Sequence, residues 1–175
     1  MTLEWKFAAD DVDGDELSAL YRATPLGHKP AATLRTAFGH SMFKCFVYDD
    51  GRLVAAGRAL ADGADCSYIR DVAVLPSHQG TGLGKRMVGH LVDCSRGHSK
   101  IILYAVPGKE PFYRRFGFLR MTTAMAIFDN PRQQLERGYP SETRASTHAG
   151  APPAAASVAP GASSAPWPTP TAFDA

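Results

Sequence analysis

The chain has 175 residues, 45% of them apolar and 21% charged, with a formal net charge of +2. That length holds one domain with a packed core, and the charge balance describes a globular chain rather than a nucleic-acid binder with a basic stripe. No run approaches the roughly 20 continuous apolar residues of a membrane span, and the first residues lack the basic-then-apolar order of a signal peptide, so no membrane partner and a cytoplasmic location are expected. Cys45, Cys66 and Cys94 are odd in number, widely spaced and set among apolar residues, which predicts buried free thiols and no metal site.

Leu3 to Ala8 alternates as a first strand. The acidic cluster Asp10, Asp11, Asp13, Asp15 and Glu16 then precedes a helix over ELSALYRA, where carboxylates complement the helix dipole. Thr24-Pro25 and Gly27 break that helix, and Pro30 opens a second short one closed by Gly39. Met42 to Asp49 and Arg52 to Leu60 read as a hairpin around the type I′ pair Asp50-Gly51. A further turn at Asp62 to Asp65 leads to the longest strand, Cys66 to Leu75. Gly82 to Arg96 places Leu83, Met87, Val88, Leu91 and Val92 on one helical face. Gly97 ends it, Lys100 to Val106 reads as another strand, Glu110 to Phe116 as a short aromatic helix, and Phe118 to Phe128 as a last strand or strand pair. Residues 1–140 thus form the predicted domain. Residues 141–175, rich in Ala, Pro and Ser, are expected to be disordered, with Trp167 and Phe173 as the two groups there that could dock.

The segment Asp71 to Val88, DVAVLPSHQGTGLGKRMV, joins the long strand to the amphipathic helix through Gly80, Gly82 and Gly84. A helix start of this kind presents unpaired N–H groups to an anion. A P-loop needs glycine at position 79 and Ser or Thr after Gly84-Lys85, where Gln79 and Arg86 stand. A dinucleotide loop needs its third glycine at position 85, where Lys85 stands, and an acidic residue ending the next strand, which Tyr104 to Val106 does not offer. What remains is Gln79-Gly-Thr-Gly-Leu-Gly84, a Q-x-x-G-x-G pattern between strand and helix.

That pattern resembles the pyrophosphate-binding motif of the GNAT superfamily of N-acetyltransferases. Glu110 to Phe118, EPFYRRFGF, resembles the same family's element after its fifth strand, and Leu60 to Gly63 is similar to a small bacterial, single-domain subgroup. The resemblance runs from about Leu3 to Asn130. It implies an α/β (α+β) fold: a GNAT-type mixed, mostly antiparallel sheet of six to seven strands, flanked by helices and splayed between strands 4 and 5. It also implies acetyl-CoA as acetyl donor and an amine, expected to be a small-molecule primary amine, as acceptor. Backbone amides of Gln79, Gly80, Thr81, Gly82, Leu83 and Gly84 would cradle the pyrophosphate, with Lys85 beside them and Gln79 replacing a commoner arginine. Lys85 and Arg86 could compensate for that lost charge or be solvated. Val72, Ala73 and Val74 would bind the pantetheine arm as an added strand across a bulge, with Ala73 or Val74 N–H stabilising the oxyanion; Phe112 and Tyr113 would also touch the coenzyme.

Aminolysis of a thioester needs a neutral amine, a proton acceptor and a proton for the leaving thiolate. By the resemblance Tyr113 is the proton donor; Phe112, Tyr113, Phe116 and Phe118 equally read as an aromatic packing cluster. Asp71, a carboxylate in an apolar strand, reads either as catalytic base or as an ion-pair partner of Arg58 or Arg70, with Glu110 as the other base candidate. His78 could contact a phosphate or be turn surface. Tyr21, Arg35, Phe38 and Ser41, in the region that walls the acceptor site of such folds, are the specificity candidates, with His28 and His40 near them. A protein lysine or N-terminal acceptor, and a non-catalytic acyl-CoA sensor, are the competing readings; a homodimer stays open.

Overall fold

The computed structural model describes residues 2–140; the expected tail, with Trp167 and Phe173, lies outside them. Among the described residues there are five strands in the order β1 (Leu3–Lys6), β2 (Phe43–Asp49), β3 (Arg52–Ala61), β4 (Cys66–Val74) and β5 (Lys100–Ile102). Neighbours pair antiparallel until the last, where β4 and β5 run parallel. The sheet is therefore mixed and mostly antiparallel, as expected, with fewer strands than the six to seven predicted.

One face carries α1 (Gly14–Arg22) and α2 (Ala31–Gly39), the other α3 (Leu83–Ser95). Asp13 caps α1 by accepting the Asp15 N–H at 2.8 Å, which uses part of the acidic cluster as an N-cap. Asp50 and Gly51 have φ of 48° and 75°, the two left-handed positions of a type I′ turn. The five predicted face residues of α3 are all buried. They close onto β3 because that strand is small: a Cβ added at Gly57 would lie 3.1 Å from both Met87 Sδ and Leu91 Cδ1. On the opposite face Phe38 of α2 packs on Phe46 at 4.9 Å between ring centroids.

Two expectations fail at the C-terminal edge. The β4–β5 ladder holds only the three pairs Cys66↔Lys100, Ser67↔Ile101 and Tyr68↔Ile102, so Leu103 to Val106 is not strand. Residues 118–128 form no strand either, and Leu119, Met125 and Ile127 are 90%, 97% and 102% exposed. The expected last strand or strand pair is absent, and a three-residue β5 offers few edge groups to pair one. Instead a helix not foreseen, α5 (Pro131–Glu136), follows, after the short α4 (Glu110–Arg114). The three cysteines are free, and of them only Cys45 is fully buried.

Candidate active site

Because β5 stops pairing at Ile102, β4 runs on from Ile69 with no parallel neighbour. The gap opens into a cavity of about 530 Å³. The opening coincides with a bulge: Ala56 pairs with Ala73 and Arg58 with Arg70, leaving Asp71 and Val72 opposite the single residue Gly57. Asp71 has φ of 55°, a left-handed conformation that costs a non-glycine residue roughly 1–2 kcal/mol.

Polar contacts hold that conformation. The Asp71 carboxylate accepts from Arg58 Nε at 2.6 Å and from Lys29 Nζ, while its carbonyl accepts the Tyr21 hydroxyl. Arg58 is itself buried and donates on to Ser41 Oγ at 3.1 Å and the Ala37 carbonyl at 3.4 Å. Burial alone would raise the Asp71 carboxyl, but the charges and hydrogen bonds of Lys29 and Arg58 outweigh it and hold it below the ordinary carboxylate range. The pairing with Arg58 considered from sequence is present, and a carboxylate kept ionised by two cations is a weak proton acceptor.

Of the coenzyme residues expected from sequence, Val72, Ala73, Val74, Gln79, Gly84, Phe112 and Tyr113 line the cavity. Alternation along β4 sorts its amides. Leu75 N–H donates to the Val54 carbonyl of β3 at 2.9 Å, so Ala73 N–H points the same way and Val74 points into the gap. Of the two candidates Ala73 and Val74, only Val74 has its N–H directed into the gap. The Gln79 side chain is occupied, donating to the Val74 carbonyl at 2.9 Å. At Gly80 and Gly82, with φ of 78° and 86°, no atom lies within 4 Å of where a Cβ would stand. Glycine there serves the left-handed turn and leaves open space beside it, rather than relieving a clash within the protein. No side chain caps α3 at Gly82, so the first N–H groups of that helix face the open space, a fit for a phosphate. Leu83 sends its side chain into the core, and Gly80, Thr81, Gly82 and Lys85 lie outside the cavity lining.

Tyr113 is half-buried, in edge contact with Phe112 and Phe118 at 5.0 and 6.3 Å between centroids. Burial first, then the nearby Tyr139, raise its phenol, which keeps it protonated at neutral pH. It is packed and also lines the cavity, so the two sequence readings coexist.

The four specificity candidates do not line the cavity. Tyr21 and Phe38 are core residues, Ser41 serves Arg58, and Arg35 lies against Gly14 and Phe38 beside a smaller hollow. What α1 and α2 contribute to the cavity is the connection between them, through Thr24, Pro25, Leu26 and Lys29. His78 is held by Asp49 at 3.1 Å, and neither His28 nor His40 lines the cavity. Among the described residues no group of three or more His, Cys, Asp or Glu could hold a metal ion, and no helix is long and apolar enough to cross a membrane.

A comparison with protein-family models matches residues 13–118 to the Acetyltransferase (GNAT) family. The chain belongs to that family. It is 42% identical over 90 residues to a chloroplastic serotonin N-acetyltransferase 2 of Oryza sativa subsp. japonica, covering 49% of this chain and 45% of that protein. To glucosamine 6-phosphate N-acetyltransferase 1 of the same plant it is 33% identical over 86 residues, covering 45% and 52%. The matches span about half the length of these curated relatives. A solved GNAT-family acetyltransferase from Streptococcus pneumoniae superposes with a TM-score of 0.62 at 23% identity, covering 73% of this chain and 99% of that one, which shows the shared fold. The family is one of acyltransferases; the cytoplasmic expectation rests on sequence alone, beside a relative designated chloroplastic.

Proposed function

We propose that the protein is an acetyl-CoA-dependent N-acetyltransferase that acetylates the primary amine of a small molecule. The single observation that carries this reading is the cavity lined by Val72 to Val74, Gln79, Gly84 and Tyr113, next to the uncapped α3 N-terminus. Gln79 to Gly84 would hold the coenzyme phosphates through backbone N–H groups, and Val72 to Val74 the pantetheine arm through the unpaired edge of β4. The bound donor supplies an electrophilic thioester carbonyl. Val74 N–H, aimed into the gap, would bind charge developing on that carbonyl oxygen, and Tyr113, protonated, would donate to the departing sulfur.

Asp71 has a different part in this proposal from the base suggested by sequence. It holds the bulge that aims Val74, and the incoming amine loses its proton to water in the cavity. The relatives' names point to unlike acceptors, serotonin and glucosamine 6-phosphate, so they do not choose one here. Incubation with acetyl-CoA and a panel of amines, following thiol release, tests the reading. Release that depends on an amine supports it; coenzyme binding without release on any acceptor would favour a sensor, and release only with a lysine peptide or protein N-terminus would favour a protein acceptor.

A further inference from the structure

The residues that line the cavity come from both faces of β4. Ser67 and Ile69 of β4 are buried, and Ser67 Oγ meets Ser95 Oγ of α3 at 2.8 Å. Tyr68 and Arg70 therefore point to the other face, the one shared with Arg58 and α2. On that side Tyr68 lies 6.2 Å from Tyr104, and Tyr104 lies 5.4 Å from Tyr139 in an edge arrangement. All three line the cavity. Tyr104 is 54% exposed, so the tyrosine cluster is open to solvent at that residue.

Tyr139 is brought there by a built terminus. Asn130 accepts the Gln133 N–H at 3.1 Å and Pro131 takes the first helical position of α5. At the other end Gly138 N–H donates to the Leu135 carbonyl at 2.9 Å and Tyr139 N–H to the Gln134 carbonyl at 3.1 Å, with Gly138 at φ of 74°. This is a Schellman reversal, and it turns Tyr139 back over Tyr104. Arg137 Nη2 then donates to the Pro25 carbonyl at 2.9 Å, tying α5 to the α1–α2 connection. The guanidiniums of Arg70 and Arg137 sit 5.2 and 5.6 Å from the Tyr68 and Tyr139 ring centroids. They back the rings. The family match ends at residue 118, so Tyr139 and its latch lie beyond it.

We propose that Tyr68, Tyr104 and Tyr139 form an aromatic clamp that selects a primary amine carried on a planar aromatic ring, with the Arg137–Pro25 contact keeping Tyr139 in place. This rests on the acetyltransferase reading above and names its acceptor class. An aromatic ring can stack on these tyrosines or meet them edge-on, adding a quadrupolar attraction to its apolar burial.

The test compares tryptamine and phenethylamine with cadaverine, glucosamine 6-phosphate and a lysine peptide, at saturating acetyl-CoA. The clamp requires kcat/KM for the ring-bearing amines to exceed that for the others by roughly two- to tenfold for each ring contact. Tyr139→Ala should erase that preference through the amine KM and leave the acetyl-CoA KM unchanged; Tyr139→Phe should retain it, and Arg137→Ala should weaken it. A preference for a ring-free amine, or an equal loss on every amine in Tyr139→Ala, overturns the clamp. If no amine is turned over, the acetyltransferase reading fails on its own. Calorimetric titration of tryptamine into the protein with coenzyme A then still judges the clamp, which stands if saturable binding is lost in Tyr139→Ala and falls if wild type binds none.

Discussion

Replacing Asp71 by Asn separates a base from a brace. Asn tolerates the left-handed conformation of the bulge better than most residues, so the substitution removes charge and little else. The Arg58 side chain is 7% exposed and the Lys29 side chain 27%. Lys29 can swing into water; Arg58 cannot, and keeps Ser41, the Ala37 carbonyl and a neutral amide oxygen in place of the carboxylate. Breaking a buried pair from one side costs about 3–5 kcal/mol, and the retained amide oxygen puts the expectation near the lower end, about 3 kcal/mol. For a domain of this size that corresponds to a fall in Tm of roughly 9–15 °C. The folded pKa of Asp71 lies below its ordinary value. Its stabilisation is therefore present above the unfolded-state pKa and is lost as pH falls through the lower folded value. The gap between wild type and D71N, measured by urea unfolding, should be wide at pH 7 and close in acid. If Asp71 only braces the site, the kcat/KM profile of D71N keeps its shape against pH. A D71N protein with wild-type Tm whose profile loses its ascending limb would refute the reasoning and restore Asp71 as base.

Tyr113→Phe should lower kcat by about 10²–10⁴-fold, the usual contribution of a positioned proton donor, with stability and the acetyl-CoA KM nearly unchanged; steady-state kinetics beside a melting curve checks both. Gly82→Ala adds a side chain at φ of 86° where no protein atom lies within 4 Å. The backbone strain should cost roughly 1–2 kcal/mol, and the filled space should raise the acetyl-CoA KM with little effect on the amine KM. Gly57→Ala pushes a methyl to 3.1 Å from Met87 and Leu91 and should destabilise by about 1–3 kcal/mol through overpacking, read by denaturant unfolding.

What was legible in the sequence is what local chemistry dictates. The α3 face, the Asp50-Gly51 turn and the glycine turn each follow from a period or a required φ, and all appear where the residues place them. The resemblance implies a bulge in the Val72 to Val74 segment; it lies at Asp71 and Val72, and its reason is not in the local sequence. That reason lies in Lys29 and Arg58, 42 and 13 residues away in the chain, and no local pattern announces such a meeting. Tyr21, Phe38 and Ser41 were expected at the acceptor because their helices flank it. Tyr21 and Phe38 are spent instead on the core, since a nine-residue helix can bury only one face and both are on it, while Ser41, just past α2, accepts from Arg58.

The helix α5, which brings Tyr139 to the cavity, escapes the sequence for a different reason. Alternation over residues 118–128 favours a strand and masks the signal beyond it at Asn130-Pro131 and Gly138, although an N-cap, a proline at the first turn and a glycine seven residues beyond that proline are the marks of a short capped helix. Alternation fixes which side chains could share a face; it does not supply a neighbouring strand, and the sheet ends its pairing at Ile102. The same shortness of β5 that leaves residues 118–128 unpaired also opens the gap between the strands. The feature that defeats the strand expectation is therefore the one that opens the cavity on which the proposed function rests.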